Sequence, residues 1–241
     1  MVRVILLFFI SLHVLSCKQE QKEQLHIAVS ANMQFAMKEL VKSFSDQTGI
    51  SCELMISSSG KLASQIKEGA PYDVFVAADL KYPNELYKLG LGINKPQIYG
   101  YGKIVLWSMI DSIKPSINLL KKDKITHIAL ATPKTAPYGK ASIEFLKRSG
   151  IYRNVKKKLV YGESVSQTNQ FIISKSAELG FTAKSVVLSP QMKNKGTWVD
   201  IDSAFYTPIA QGVMALKKNK PKIKLAEKFC NFFLSQRPQQ I

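Results

Sequence analysis

The stretch Cys52–Asp79, CELMISSSGKLASQIKEGAPYDVFVAAD, decides the fold. Cys52–Ile56 is a short apolar run of strand type. Gly60–Glu68 places Leu62, Ala63 and Ile66 at helical spacing, with Gly69-Ala70-Pro71 as the stop. Asp73–Ala77 is then a second apolar run of strand length. Strand, serine-rich turn, helix and strand in this order make a βαβ unit.

Working outward, the same alternation recurs. Upstream lie the strand-like His26–Val29 and a helix whose stripe is Met33, Ala36, Met37, Leu40, Val41 and Phe44, ending before Gly49. Downstream, Pro83 suits the first turn of a helix that stops at Gly90. Strand-like runs follow at Lys103–Trp107, His127–Ala131, Lys158–Tyr161 and Pro208–Leu216, with helices from Tyr138 to Arg148 and from Val165 to Ser174. The fold class expected is α/β, in two lobes. The lysine-rich pieces 121–124, 156–158 and 217–224 read as solvated faces or loops.

The first 16 residues, MVRVILLFFISLHVLS, carry one basic residue, Arg3, and an apolar run too short for a comfortable transmembrane helix. They read as an export signal. Val14-Leu15-Ser16-Cys17 resembles a bacterial lipobox, with Val14 where Leu is usual. Cys17 is thus the expected lipid attachment point, and residues 17–24 a tether. Cys52 and Cys230 remain, far apart, with no C-x-x-C pair and no histidine at zinc spacing, so no metal site is expected. A formal charge of +17 admits nucleic acid, acidic membrane surface or small anions as partners. The basic runs lack interleaved aromatics and the chain is exported, which argues against nucleic acid.

Four places put a strand end, a short turn and a helix start in succession: Ser30-Ala31-Asn32, Ser57–Gly60, Thr135–Gly139 and Glu163-Ser164-Val165. Helix starts carry free N–H groups and partial positive charge, so each turn is a natural oxyanion site. Taken singly, Asn32 and Ser59 are also good helix caps. The set of four, two in each half of the chain, favours a ligand between halves. An enzyme with a nucleophile among Ser57–Ser59 and His26 or His127 as base is disfavoured. No G-x-S-x-G elbow is present, and both histidines start strands, opposite the serine turn.

HIAVSANMQFAMKELVKSF (His26–Phe44), SSGKLASQIKEGAPYDVFVAAD (Ser58–Asp79), IALATPKTAPYGKASIEFLKRSG (Ile128–Gly150), VYGESVSQTNQFI (Val160–Ile172), ELGFTA (Glu178–Ala183) and FYTPIAQGVMAL (Phe205–Leu216) resemble the periplasmic molybdate-binding proteins of ABC importers. The resemblance covers nearly all of the mature chain. It implies a type II periplasmic binding protein: lobe I from residues 25–104 and 208–241, lobe II from 105–207, two crossing segments and a cleft between the lobes. It implies molybdate or tungstate as ligand, with no cofactor and no directly coordinated metal. The oxygens would be held by Asn32 and the Ala31 amide, the hydroxyl and amide of Ser59, and the amides of Tyr138 and Val165, with Ser58 ranking below Ser59. Some members carry a serine at the position of Asn32 and a tyrosine at that of Ala183, so this chain resembles an Ala-Asn subgroup. A monomer, lipid-anchored outside the cytoplasmic membrane and serving an ABC permease, is the further implication. Sulfate or phosphate is the alternative ligand. Phosphate near neutral pH usually keeps a proton and benefits from a carboxylate acceptor, which the Ala31-Asn32-Met33 and Ser58-Ser59-Gly60 turns lack. Lys61 is expected to point away along its helix and Glu163 to face solvent.

Overall fold

A computed structural model describes residues 24–218 and 220–236. The expected export signal, Cys17 and residues 18–23 of the expected tether lie outside the described residues, while Gln24, expected in the tether, instead opens the first strand and pairs with Ser51. The first half runs β1 (Gln24–Ser30), a 3-10 turn (Ala31–Met33), α1 (Gln34–Thr48), β2 (Ser51–Ser57), α2 (Ser59–Lys67), β3 (Val74–Ala77), α3 (Lys81–Lys88) and β4 (Gln97–Gly102). Next come β5 (Ile104–Ser108), β6 (Ile128–Ala131), α4 (Pro137–Arg148), α5 (Tyr152–Val155), β7 (Leu159–Gly162), α6 (Val165–Ile173), β8 (Leu179–Ala183), α7 (Lys184–Val187) and β9 (Thr197–Asp200). The chain finishes with β10 (Ile209–Ala215) and α8 (Ile223–Ser235).

Two five-stranded sheets result, ordered β2-β1-β3-β10-β4 and β7-β6-β8-β5-β9. The chain passes from the first sheet to the second at Lys103 and returns between β9 and β10. In each sheet the first three strands are parallel, and the fourth, β10 or β5, runs antiparallel to both of its neighbours. The register places Ser30 opposite Ser57, and Ala131 opposite Gly162. The carboxyl ends of the parallel strands therefore share one edge in each sheet, the edge where ligands of open α/β sheets sit.

Both faces of each sheet are covered, which is why the strands read as continuous apolar runs. On the first sheet, Leu25, Ile27 and Val29 pack with Met37 and Phe44 of α1 and with Phe229 and Phe233 of α8. Ala28 and Phe75 face Leu62, Ala63 and Ile66 of α2 and Leu86 of α3. On the second, Ile104, Leu106, Ile128 and Leu130 meet Ala141, Phe145 and Leu146 of α4, while Val105, Trp107 and Ala129 meet Ile172 of α6.

The α1 stripe is narrower than its spacing suggests: Ala36 is exposed, and Met33, Leu40 and Val41 are half-buried around Met37 and Phe44. Helix α3 begins two residues before Pro83, because the Asp79 carboxylate accepts from Tyr82 N at 3.4 Å. Part of the basic run 217–224 is structural: Lys222 Nζ donates to Gln24 O at 2.6 Å and lies 3.8 Å from buried Asp73. Cys52 and Cys230 are free thiols, pushed by burial up to about 11 and about 12. Among the described residues no helix is long and apolar enough to cross a membrane.

Candidate functional site

All four strand-to-helix junctions lie where the two sheets' edges face each other. Gly60 N, at the start of α2, donates to Thr135 O before α4 at 2.9 Å. Ser166 Oγ in the first turn of α6 donates to Gln34 Oε1 at the start of α1 at 2.6 Å, and Ser185 Oγ of α7 donates to Asn32 O at 2.9 Å. Tyr82 Oη donates to Lys134 O at 3.0 Å. The junctions of the first sheet are thus drawn against those of the second.

Ala31, Asn32, Ser58, Ser59, Tyr138 and Val165 are all buried, each at most 5% exposed. Ala31, Tyr138 and Val165 share one apolar cluster with Ala78 and Ala183. Asn32 is tied to Tyr138 through Gln211: Asn32 Nδ2 lies 3.3 Å from Gln211 Oε1, and Gln211 Nε2 lies 2.9 Å from Tyr138 Oη. Burial pushes the Tyr138 phenol well above its ordinary value, against hydrogen bonds from Gln211 and Asn32 that pull the other way. The ring therefore stays protonated.

The capping role open to Asn32 and Ser59 is not the one they play. No side-chain hydrogen bond caps the 3-10 turn, α1, α2 or α4. Only α6 has such a cap among these junctions, Ser164 Oγ accepting from Gln167 N at 3.3 Å. The Ser59 hydroxyl instead meets Ser30 Oγ at 2.5 Å, and both accept from Ala78 N, at 2.9 and 3.0 Å respectively. Asn32 Oδ1 and Ser58 Oγ are buried with no protein partner. Uncapped helix N-termini and the unpartnered Ser58 hydroxyl favour an anion here, whereas the Asn32 oxygen is an acceptor that needs a donor of its own.

Lys61 and Glu163 are both exposed, as expected of Glu163, and they also pair. Lys61 Nζ donates to Glu163 Oε1 at 2.6 Å, bridging α2 and the turn before α6, with both side chains about half exposed. The two histidines stand at the far strand ends, His26 Nδ1 3.2 Å from Pro71 O and His127 Nδ1 3.0 Å from Thr126 Oγ1. Sequence reasoning placed Ser30 in its turn without giving it a role, and missed Ala78 and Gln211. The signal available for Gln211 was a polar residue inside the apolar run Pro208–Leu216; for Ala78 it was only its adjacency to the turns.

Asp79 follows Ala78 at the rim. Burial pushes its carboxyl from 3.8 up to about 6, with Glu85 pushing the same way and Tyr82 N, Lys81 and Lys140 pulling down. The folded state therefore holds more protons than the unfolded one between about pH 4 and 6, and stability falls as pH rises through that window. Asp79→Asn is expected to raise stability at pH 7 by about 1–2 kcal/mol, the gain fading below about pH 4. Urea unfolding at the two pH values measures it.

Two α/β sheets joined by two crossings, with helix N-termini opposed across the gap, define the type II periplasmic binding protein fold. The sequence matches the family described as bacterial extracellular solute-binding protein over residues 25–241. The molybdate-binding protein ModA of Azotobacter vinelandii is 36% identical over 209 residues, covering 86% of this chain and 82% of that protein. ModA of Rhodobacter capsulatus is 34% identical over 191 residues, covering 79% and 75%. The solved A. vinelandii periplasmic molybdate-binding protein superposes with a TM-score of 0.81 at 30% identity, covering 87% of this chain and 92% of that one. The chain belongs to the bacterial extracellular solute-binding proteins and, within them, to the ModA family. These relatives are solute-binding proteins, not enzymes.

Proposed function

We propose that the protein captures molybdate or tungstate between its two lobes outside the cytoplasmic membrane and delivers it to an ABC permease. The observation that carries this reading is the gathering of uncapped helix starts and uncharged donors at one buried place, in a chain whose relatives are named for molybdate binding. Asn32, the Ala31 amide, the Ser59 hydroxyl and amide, and the amides of Tyr138 and Val165 hold the oxygens, with Ser58 in reserve. Hydrogen bonds to a charged acceptor are about twice as strong as neutral ones, so several in a closed site hold a dianion without a formal counter-charge.

Lobe I comprises residues 24–103 and the segment from 208 onward, and lobe II residues 104–207, one residue earlier than the expected boundary because Ile104 opens β5 and pairs with Ala183. The lobes close by hinge motion at the two crossings. The chain acts as a monomer of the Ala-Asn subgroup, with Ala183 where other members place a tyrosine, and Cys17 tethers it to the membrane by a lipid.

Isothermal titration of the tag-free mature chain tests the ligand. Saturable heats with molybdate and tungstate and little response to sulfate or phosphate are expected. Equal heats with sulfate and molybdate would replace the ligand and leave the fold intact. The Lys61–Glu163 pair contributes little here. A pair this exposed is worth about 0.2–1 kcal/mol, so Glu163→Gln is expected to weaken molybdate binding by at most about fivefold. That difference should shrink in high salt, as titrations at two ionic strengths will register.

A further inference from the structure

Two of the candidate contacts are held from behind by residues outside the contact set. Ser30 Oγ and Ser59 Oγ lie 2.5 Å apart and share the single Ala78 N–H. A hydroxyl has one proton and two acceptor positions. With Ser59 donating to Ser30, Ser59 turns a lone pair toward the cleft, and an anion oxygen there meets lone pair against lone pair. With Ser30 donating, Ser59 accepts from both Ser30 and Ala78. Its acceptor positions are then filled and its only proton is left for the anion.

The Asn32 amide poses the same question. With Asn32 Nδ2 on Gln211 Oε1 and Gln211 Nε2 on Tyr138 Oη, the Asn32 Oδ1 is left buried without a partner. Turning both amides by half a rotation moves no heavy-atom position, since amide oxygen and nitrogen occupy equivalent places. Tyr138 O–H then donates to Gln211 Oε1, Gln211 Nε2 donates to Asn32 Oδ1, and Asn32 Nδ2 takes the place of the stranded acceptor. The buried Tyr138 phenol keeps the proton this chain needs. Tyr99, which also reaches Asn32, gives its own proton to Ala77 O at 3.2 Å. A register shift in β10 between Gln211 and Gly212 marks the bulge that aims the Gln211 side chain.

We propose that Ser30 and Gln211 are positioning residues that fix the proton directions of Ser59 and Asn32, so that the cleft offers only donors there and rejects oxyanions that still carry a proton. This rests on the reading of the cleft as an oxyanion site. It adds the residues that set the selectivity. Hydrogen phosphate has a proton to place. With Ser59 saturated as an acceptor and Asn32 turned nitrogen-outward, neither takes it.

The test is titration of the mature chain with molybdate and with inorganic phosphate at pH 7, for the parent, Ser30→Ala, Ser30→Thr and Gln211→Met. Thermal unfolding accompanies each to confirm the fold. Ser30→Ala and Gln211→Met are each expected to weaken molybdate binding on the order of tenfold, the loss of one ordered hydrogen bond. Each should also lower the molybdate-to-phosphate affinity ratio on the order of tenfold or more. Ser30→Thr, which keeps the hydroxyl, should retain the parent ratio. Variants that lose both affinities equally, or none, overturn the proposal, because a packing role weakens both anions alike. Should Ser30→Ala not fold, the Gln211→Met ratio decides. A parent that binds neither molybdate nor tungstate overturns the oxyanion reading and this inference with it. A parent that binds, with ratios unmoved in the variants, overturns this inference alone.

Discussion

Gly139→Ala is expected to lower stability by on the order of 3 kcal/mol, at the upper end for an overpacked site, and to abolish anion binding. Gly139 is the third residue of α4, and a β-carbon there would overlap the Ala131 carbonyl oxygen, with the Ala131 carbon 2.6 Å and the Thr132 carbon 3.1 Å away. Everything it meets is backbone at the carboxyl end of β6, so no side-chain rotation relieves the clash. The helix start must lift, and Tyr138, whose amide is assigned to the anion, lifts with it. The sign is what makes the test sharp. In an unencumbered helix interior the same substitution stabilises by about 0.8–1 kcal/mol. Gly100→Ala is the control: it has no atom within 4 Å of the added carbon and no positive φ, and belongs to β4. It should change stability by no more than about 0.5 kcal/mol. Urea unfolding midpoints compared at equal slope give both numbers. A Gly139→Ala protein as stable as the parent would mean that α4 does not sit this close to β6.

The elements legible in the sequence were those whose signal is local. The Ser57–Asp79 stretch gives its helix and strand within a residue or two, because apolar spacing and the Gly69–Pro71 break are written side by side. β4 and β9 were not legible. Both are edge strands, one built from QIYGYG and the other from TWVD, and an edge needs no continuous apolar run. β8 was seen only as a family string, since Gly180 breaks its apolar pattern. α8 was hidden by the lysine run before it, although Ala226, Phe229, Cys230 and Phe233 stand at helical spacing on its buried face. The four junctions of the candidate site were legible for the same local reason: a strand end and helix start are neighbours in sequence. What holds them is not local. Ser30 meets Ser59 across 29 residues, and Gln211 meets Tyr138 across 73, through strand pairings and a bulge that no short window contains.

Asn32→Asp is expected to cost molybdate binding at least about a thousandfold at pH 7, on the order of 4 kcal/mol. The substitution keeps the shape of a side chain that is only 3% exposed and exchanges one amide nitrogen for oxygen. A carboxylate there is still served from behind, since the Gln211 amide can turn its Nε2 toward it while Gln211 Oε1 takes the Tyr138 hydroxyl proton. The fold therefore has the means to survive. The oxygen toward the anion is different: it donates nothing and sets a negative charge against a dianion in a site with little water to screen it. Asn32→Ser separates the two effects. It removes the amide without adding charge and should cost only about tenfold. Acidification separates them again, because burial and the neighbouring dianion both favour the protonated acid, whose O–H is once more a donor. Titrations at pH 7 and pH 5 should therefore show Asn32→Asp regaining affinity relative to the parent, while Asn32→Ser tracks the parent at both. If Asn32→Asp binds molybdate within tenfold of the parent at pH 7, Asn32 does not face the anion, and the contacts assigned to the first helix start belong to another junction.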